Sequence, residues 1–157
     1  MRRPYWAVVF FGIPMRLLLI DNHDSFSAIL YQYLWELTGV RPLFHRNDAL
    51  SREELQSLDF DAAVLSPGPG RPENRRDFGI CRDLLELHSD LPILGVCLGH
   101  QGLAHFAGGR IIPLPGALHG RPDSIRHIGS DPGSRCCHPH SGTPTLAAGI
   151  GWPAKPC

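Results

Sequence analysis

Residues 91–102 read Leu91-Pro92-Ile93-Leu94-Gly95-Val96-Cys97-Leu98-Gly99-His100-Gln101-Gly102, and they predict a strand, a tight turn and a helix in succession. The apolar run before Cys97 is typical of a buried strand, and Gly95 and Gly99 leave room for a sharp turn that presents the sulfur. This is the layout of a nucleophile elbow, and the helix start supplies N–H groups and a positive dipole end beside the sulfur. A buried structural cysteine is the alternative, because free cysteines are commonly buried, and the spacing alone does not separate the two interpretations.

The composition is that of one globular domain. The chain has 157 residues, with 15 basic and 15 acidic side chains, so it carries no electrostatic footprint for nucleic acid or an anionic membrane. No apolar run reaches the length of a membrane span. Five cysteines without a disulfide-like frame predict a reducing, cytoplasmic setting. The cluster Cys136-Cys137-His138-Pro139-His140 lacks the usual ligand spacing of zinc sites, so we expect no metal and no cofactor.

Strand and helix patterns alternate along the chain. Strands are predicted at 16–20, 40–45, 61–65 and 93–96, with helical patterns between them. The first helix has one apolar stripe, with Asp24 or Ser25 as its N-cap and Gly39 at its end; the stripe consists of Phe26, Ile29, Leu30, Tyr33, Leu34 and Leu37. Ser51 is expected to cap a short second helix, and a third pattern runs from Phe78 to His88 with Cys81 in the core. This alternation predicts an α/β fold, a doubly wound and mostly parallel sheet with helices on both faces.

The third strand runs into a turn rich in proline and glycine, Ser66-Pro67-Gly68-Pro69-Gly70. Prolines remove N–H groups and glycines allow close approach, so the turn can aim its remaining N–H groups at a ligand. It is not a phosphate-binding fingerprint, because Glu73 occupies the position of the third glycine. Asp21, this turn and Cys97 all follow predicted strands, where parallel sheets bind ligands, and this favours the nucleophile interpretation of Cys97.

Both ends of the chain differ from the middle. We expect residues 1–14 to be a poorly ordered extension, with the domain covering residues 15–129. Residues 130–157 are crowded with Pro, Gly, Ser, Thr and Cys, and we expect a largely irregular tail.

Three motifs in order carry a family resemblance: Leu19–Phe26, Ser66–Gly70 and Gly95–Gln101. Together they resemble class I, or triad, glutamine amidotransferases, which have a flavodoxin-like glutaminase fold. Within that family the chain is most similar to the glutaminase subunit or domain of aminodeoxychorismate synthase or anthranilate synthase (component II). The segments 77–81 and 119–127 also fit this subgroup. The resemblance covers roughly residues 15–129, and its C-terminal part is missing.

The resemblance implies a reaction. Cys97 would attack the carboxamide of L-glutamine, a γ-glutamyl thioester would form, and ammonia would leave before water releases glutamate. Ammonia would then pass to a chorismate-utilising synthase, subunit or fused domain, making 4-amino-4-deoxychorismate for folate or anthranilate for tryptophan. Oxyanion and substrate-binding roles fall on Gly68, Pro69, Gly70, Leu98 and Gln101.

The sequence departs from the family at the general base. The family's catalytic His and Glu lie in a His-Pro-Glu-Ser type motif, for which the chain offers only His138-Pro139-His140-Ser141, with histidine in place of glutamate and too soon after Cys97. We therefore assign no catalytic His or Glu and expect this chain to be inactive on its own. The alternatives are a non-catalytic flavodoxin-like module that binds a partner, an unstable fragment with an exposed sheet edge, and a cysteine peptidase of related fold.

Overall fold

A computed structural model describes residues 15–112 and 149–151. The elements in chain order are β1 (Leu17–Asp21), α1 (Ser27–Thr38), β2 (Leu43–Arg46), α2 (Arg52–Ser57), β3 (Ala62–Leu65), α3 (Arg75–Phe78), α4 (Ile80–Leu87), β4 (Ile93–Gly95), α5 (Leu98–Phe106) and β5 (Gly149–Gly151). The predicted extension at 1–14, the motif segment 119–127 and the cluster Cys136–His140 lie outside the described residues.

The strands form one sheet in the order β2-β1-β3-β4-β5. β1 to β4 are parallel, and β5 pairs antiparallel with β4. The register aligns Ile20 of β1 with Leu65 of β3, and Leu65 with Gly95 of β4, so the carboxyl ends of these three strands lie side by side. The predicted fold class is confirmed.

The helices divide between the two faces of the sheet. In the sheet, β2 and β3 lie on opposite sides of β1, so the connections from β1 to β2 and from β2 to β3 run across the sheet in opposite directions. Because both crossovers are right-handed, α1 and α2 lie on opposite faces. α4 contacts both α2 and α5, so these three helices share one face. The main core lies beneath them, and its members are Leu18, Ile20, Leu55, Phe60, Ala63, Leu65, Phe78, Ile80, Cys81, Leu84, Leu91, Ile93 and Leu98.

Helix α1 differs from its sequence prediction in two ways. Its N-cap residue is Phe26, and the side chain of Asp24 instead accepts a hydrogen bond from the Phe26 N–H at 2.8 Å, which turns the chain one step before the helix. Much of the apolar stripe is open, with Tyr33 57% and Leu37 84% exposed. The reason is that α1 is the only described helix on its face of the sheet, so no described helix lies beside it. The predicted helix end at Gly39, with φ 70°, is confirmed.

Two further differences come from contacts distant in sequence. The helical pattern over 78–88 is divided at Gly79, which has φ 45° and packs against the carbonyl of Asn47. The Ile80 N–H donates to that same carbonyl at 2.8 Å, so the loop after β2 fixes the break. Gly149–Gly151 is a strand within the segment expected to be irregular, because its backbone pairs with β4. Within the described residues, no helix combines the length and apolar character needed to cross a bilayer.

Candidate active site

Cys97 lies at the tip of the turn between β4 and α5. It has φ 52° and ψ −108°, a sparsely populated conformation for a residue with a side chain. The turn is held on both sides, because the Val96 N–H donates to the Leu65 carbonyl at 3.0 Å and the Gln101 N–H donates to the Cys97 carbonyl at 2.9 Å. This is the backbone form of the predicted elbow.

The two described cysteines have contrasting environments. Cys97 is only half-buried at the helix start, whereas Cys81 is fully buried and donates its thiol hydrogen to Asn22 Oδ1 at 3.2 Å. Burial raises the pKa of the Cys81 thiol and keeps it protonated. Cys81 is therefore the structural thiol that the sequence predicted, and Cys97 is the more accessible of the two described thiols.

Two glycines allow the backbones of the site to meet. A Cβ on Gly99 would overlap the backbone of Leu65, so glycine is what lets the first turn of α5 lie directly on the end of β3. A Cβ on Gly68 would overlap Asn22 and would lie 3.1 Å from Leu98 Cδ2. The structure thus brings together Gly68 and Leu98, two of the residues for which the sequence predicts oxyanion roles.

The remaining predicted site residues surround this contact. The N–H of Leu98, the first residue of α5, has no partner within the helix, as at every helix start. Gln101 is half-buried and lies in the first turn of α5, four residues after Cys97. Pro69 and Gly70 are exposed beyond Gly68. Their catalytic and binding roles stay predictions.

All three sequence motifs meet at one atom, the carbonyl oxygen of Ser66. It accepts a hydrogen bond from Asn22 Nδ2 at 2.9 Å and another from the Gly99 N–H at 3.3 Å. Ser66 is fully buried, so these bonds are shielded from water. The end of β1, the turn after β3 and the elbow after β4 are therefore a single hydrogen-bonded unit.

His100 is the ionisable side chain next to the elbow that carries a pKa shift. Burial lowers its pKa, and its Nδ1 atom has no hydrogen-bond partner among the described residues. The imidazole is accordingly neutral near pH 7. The described part of the chain holds no group of three His, Cys, Asp or Glu side chains arranged to bind a metal.

Asn22 and Asn47 are the site residues that the sequence did not single out. Both are buried, and the Asn47 Nδ2 atom donates to Asn22 Oδ1 at 3.0 Å. Their positions in the sequence could have identified them, because each asparagine directly follows a parallel strand, and parallel sheets bind ligands at the carboxyl ends of their strands.

Comparison with known proteins identifies the class. The model of the class-I glutamine amidotransferase family matches residues 18–145, and the chain belongs to this family. The match runs past the predicted domain boundary at residue 129. It agrees with the parallel sheet and the cysteine elbow, and it removes the peptidase alternative.

Several curated proteins are similar over about three quarters of the chain. Aminodeoxychorismate synthase of Streptomyces pristinaespiralis is 47% identical over 116 residues, 73% of this chain and 16% of that protein. Anthranilate synthase component 2 of Cyanophora paradoxa is 46% identical over 114 residues, 72% of this chain and 58% of that protein. The chloroplastic aminodeoxychorismate synthase of Arabidopsis thaliana is 45% identical over 121 residues, 74% of this chain and 13% of that protein. The chain therefore spans little more than half of the component 2 protein and a much smaller share of the two synthases.

Proposed function

We propose that Cys97 is the nucleophile of a glutaminase site. Its sulfur attacks the carboxamide carbon of L-glutamine, and the C–N bond breaks to give ammonia and a γ-glutamyl thioester. Water then hydrolyses the C–S bond, which releases glutamate and restores the thiol. The observation that carries the proposal is the strained elbow at Cys97, with φ 52°, next to the contact of Gly68 with Leu98.

The oxyanion that forms during the attack needs donors fixed in advance. The Leu98 N–H is one candidate, and the turn from Gly68 to Gly70 supplies the other. Gln101, in the first turn of α5, would contact the glutamine substrate. Support for these roles comes from the proximity of Gly68 and Leu98 and from the hydrogen bond that the Gly99 N–H donates to the carbonyl of Ser66, the first residue of the Pro-Gly turn.

We further propose that the ammonia is consumed by a chorismate-utilising synthase. The names of the relatives support both products, 4-amino-4-deoxychorismate and anthranilate. A nucleophilic thiol has to stay reduced, and we therefore propose a reducing compartment such as the cytoplasm. Incubating the chain with purified synthase, chorismate and glutamine, and identifying the product by mass, would distinguish the two pathways.

Turnover by this chain alone should be very slow. No His-Glu pair matching the family motif is found in the sequence, and removing such a partner from a catalytic triad costs about 10⁴–10⁶-fold in rate. Ammonia release from glutamine is therefore expected near background, with the Cys97→Ser variant equally slow. Robust turnover that disappears in Cys97→Ser would refute the expected inactivity of the chain, but it would support Cys97 as the nucleophile.

Binding of glutamine at Cys97 can be tested without turnover. A chloroketone analogue of glutamine should alkylate Cys97. The sulfur first adds to the ketone carbonyl, which places a negatively charged oxygen at the oxyanion donors. Sulfur then bonds to the adjacent carbon as chloride leaves and the carbonyl re-forms, and the thiol proton passes to the buffer. L-glutamine should protect Cys97, and L-glutamate should protect it far less. Peptide mapping by mass spectrometry identifies the modified residue, and labelling without protection by glutamine would contradict a glutaminase site.

A non-catalytic module that binds a synthase is the second candidate. The open apolar side chains of α1, which include Tyr33 and Leu37, favour it. Under this hypothesis the chain copurifies with a synthase, Leu37→Ser weakens the complex, and Cys97 shows no glutamine-protected labelling. A non-cooperative thermal melt of the isolated chain would instead indicate an unstable fragment.

A further inference from the structure

Asn22 forms two hydrogen bonds with Ser66, the first residue of the turn after β3. It directly follows β1 and is only 1% exposed. Its backbone N–H donates to Ser66 Oγ at 2.8 Å, and its side-chain Nδ2 donates to the Ser66 carbonyl at 2.9 Å. The first residue of the Pro-Gly turn is therefore held through both its side chain and its backbone.

The same residue sets the position of the glycine that follows. The Cβ and carbonyl oxygen of Asn22 lie where a side chain on Gly68 would be, so Gly68 rests against Asn22. The Ser66 carbonyl also accepts from the Gly99 N–H, two residues after Cys97. A shift of the Asn22 amide would move the turn relative to the elbow.

Two other buried side chains fix the orientation of the Asn22 amide. Its Oδ1 accepts hydrogen bonds from Asn47 Nδ2 at 3.0 Å and from Cys81 Sγ at 3.2 Å. Asn47 Nδ2 donates in addition to the Asp77 carbonyl at 2.8 Å, which anchors it to α3. A flipped amide would set Asn22 Nδ2 against two donors and its oxygen against the Ser66 carbonyl, so only one orientation is satisfied.

From these contacts we infer that Asn22 is a positioning residue for the oxyanion turn of the proposed glutaminase site. It acts through Ser66, and it fixes the N–H groups of Gly68 and Gly70 relative to the Cys97 sulfur. This inference rests on the proposed function. It goes further in assigning a role to the end of β1, which contributes no group to the reaction itself.

The test measures labelling of Cys97 in the whole chain by the chloroketone analogue of glutamine. Asn22→Asp keeps the shape and the Oδ1 acceptor but replaces the Nδ2 donor with an oxygen facing the Ser66 carbonyl. Asn22→Ala removes both groups and is the second variant should the buried carboxylate prevent folding. Ser27→Ala is the matched control, because it removes a buried hydrogen bond to Asp21 at the same strand end without contacting the turn.

In both Asn22 variants the maximal labelling rate should fall about tenfold or more, since displacements near 1 Å in a site can cost about a hundredfold. The half-saturating concentration of the analogue and the rate with iodoacetamide, which needs no oxyanion donors, should stay within about twofold. Ser27→Ala should label like the unaltered chain.

Three results would overturn the inference. The maximal rate could be unchanged in Asn22→Ala, the loss could lie entirely in the half-saturating concentration, or Ser27→Ala could lose as much. Absence of glutamine-protected labelling in the unaltered chain is a different outcome, because it would overturn the proposed function and the positioning role together.

Discussion

Replacing Gly99 with alanine tests the contact on which the elbow depends. The new Cβ would overlap three atoms of Leu65, two of them backbone atoms of a central strand. Backbone of a buried parallel strand cannot rotate away as a flexible side chain can, so α5 has to move off β3.

Helix propensity and steric overlap act in opposite directions on this variant. Alanine is a better helix former than glycine by about 1 kcal/mol, which would stabilise α5. Overpacking against a rigid neighbour costs about 1–3 kcal/mol, and backbone overlap falls at the upper end of that range. The steric overlap outweighs the gain in helix propensity, so Gly99→Ala should be about 1–2 kcal/mol less stable. For a chain of this length that lowers the melting temperature by about 2–8 °C.

Urea unfolding and thermal melts measure the loss, and chloroketone labelling of Cys97 measures the displacement of the elbow. Ala104→Gly is the matched control, since it reverses the propensity change on the same helix. It should destabilise by about 1 kcal/mol and leave the labelling rate unchanged. The reasoning is refuted if Gly99→Ala is more stable than the unaltered chain, because propensity would then outweigh the contact with Leu65.

Single side chains elsewhere in the domain give three more tests. Because burial lowers the pKa of His100, the unfolded chain binds its proton more readily, and the urea midpoint should fall as the pH drops below about 6.5. His100→Asn should reduce this dependence, and an unchanged dependence in that variant would contradict the assignment to His100. Ser51 forms a capping box at the start of α2, so Ser51→Ala should cost about 1 kcal/mol in urea unfolding and Ser51→Gly only a few tenths; equal losses would contradict a capping role. Iodoacetamide should modify Cys97 but not Cys81 in the native chain, as peptide mapping can check, because Cys81 is buried and its pKa is raised; similar modification of both would show that Cys81 is accessible.

The sequence predicted those parts of the fold that local chemistry controls. The end of α1 at Gly39 and the cap at Ser51 depend on one turn of chain each, and both are observed. The alternation of strands and helices similarly fixed the parallel sheet through short right-handed crossovers.

Features that depend on distant partners escaped prediction. The break at Gly79 requires the Asn47 carbonyl, and the exposure of the α1 stripe depends on which helices share its face. The candidate site likewise combines features that local sequence predicts with features that depend on distant partners. The elbow and the Pro-Gly turn are local patterns, whereas the role of Asn22 arises from a contact with Ser66 that lies 44 residues away in sequence.

The sheet topology explains why an asparagine occupies this place. The strand order reverses at β1, so the loops after β1 and β3 leave toward opposite faces and open a crevice between the two strand ends. Doubly wound proteins commonly bind their ligand in such a crevice. Here two hydrogen bonds between Asn22 and Ser66 join the ends of β1 and β3. The half-buried Cys97 lies after the next strand of the sheet, β4. In the proposed glutaminase site, Asn22 and Ser66 would therefore form the rigid side, and substrate would bind at the neighbouring ends of β3 and β4, where Gly68 of the Pro-Gly turn contacts Leu98 of the elbow.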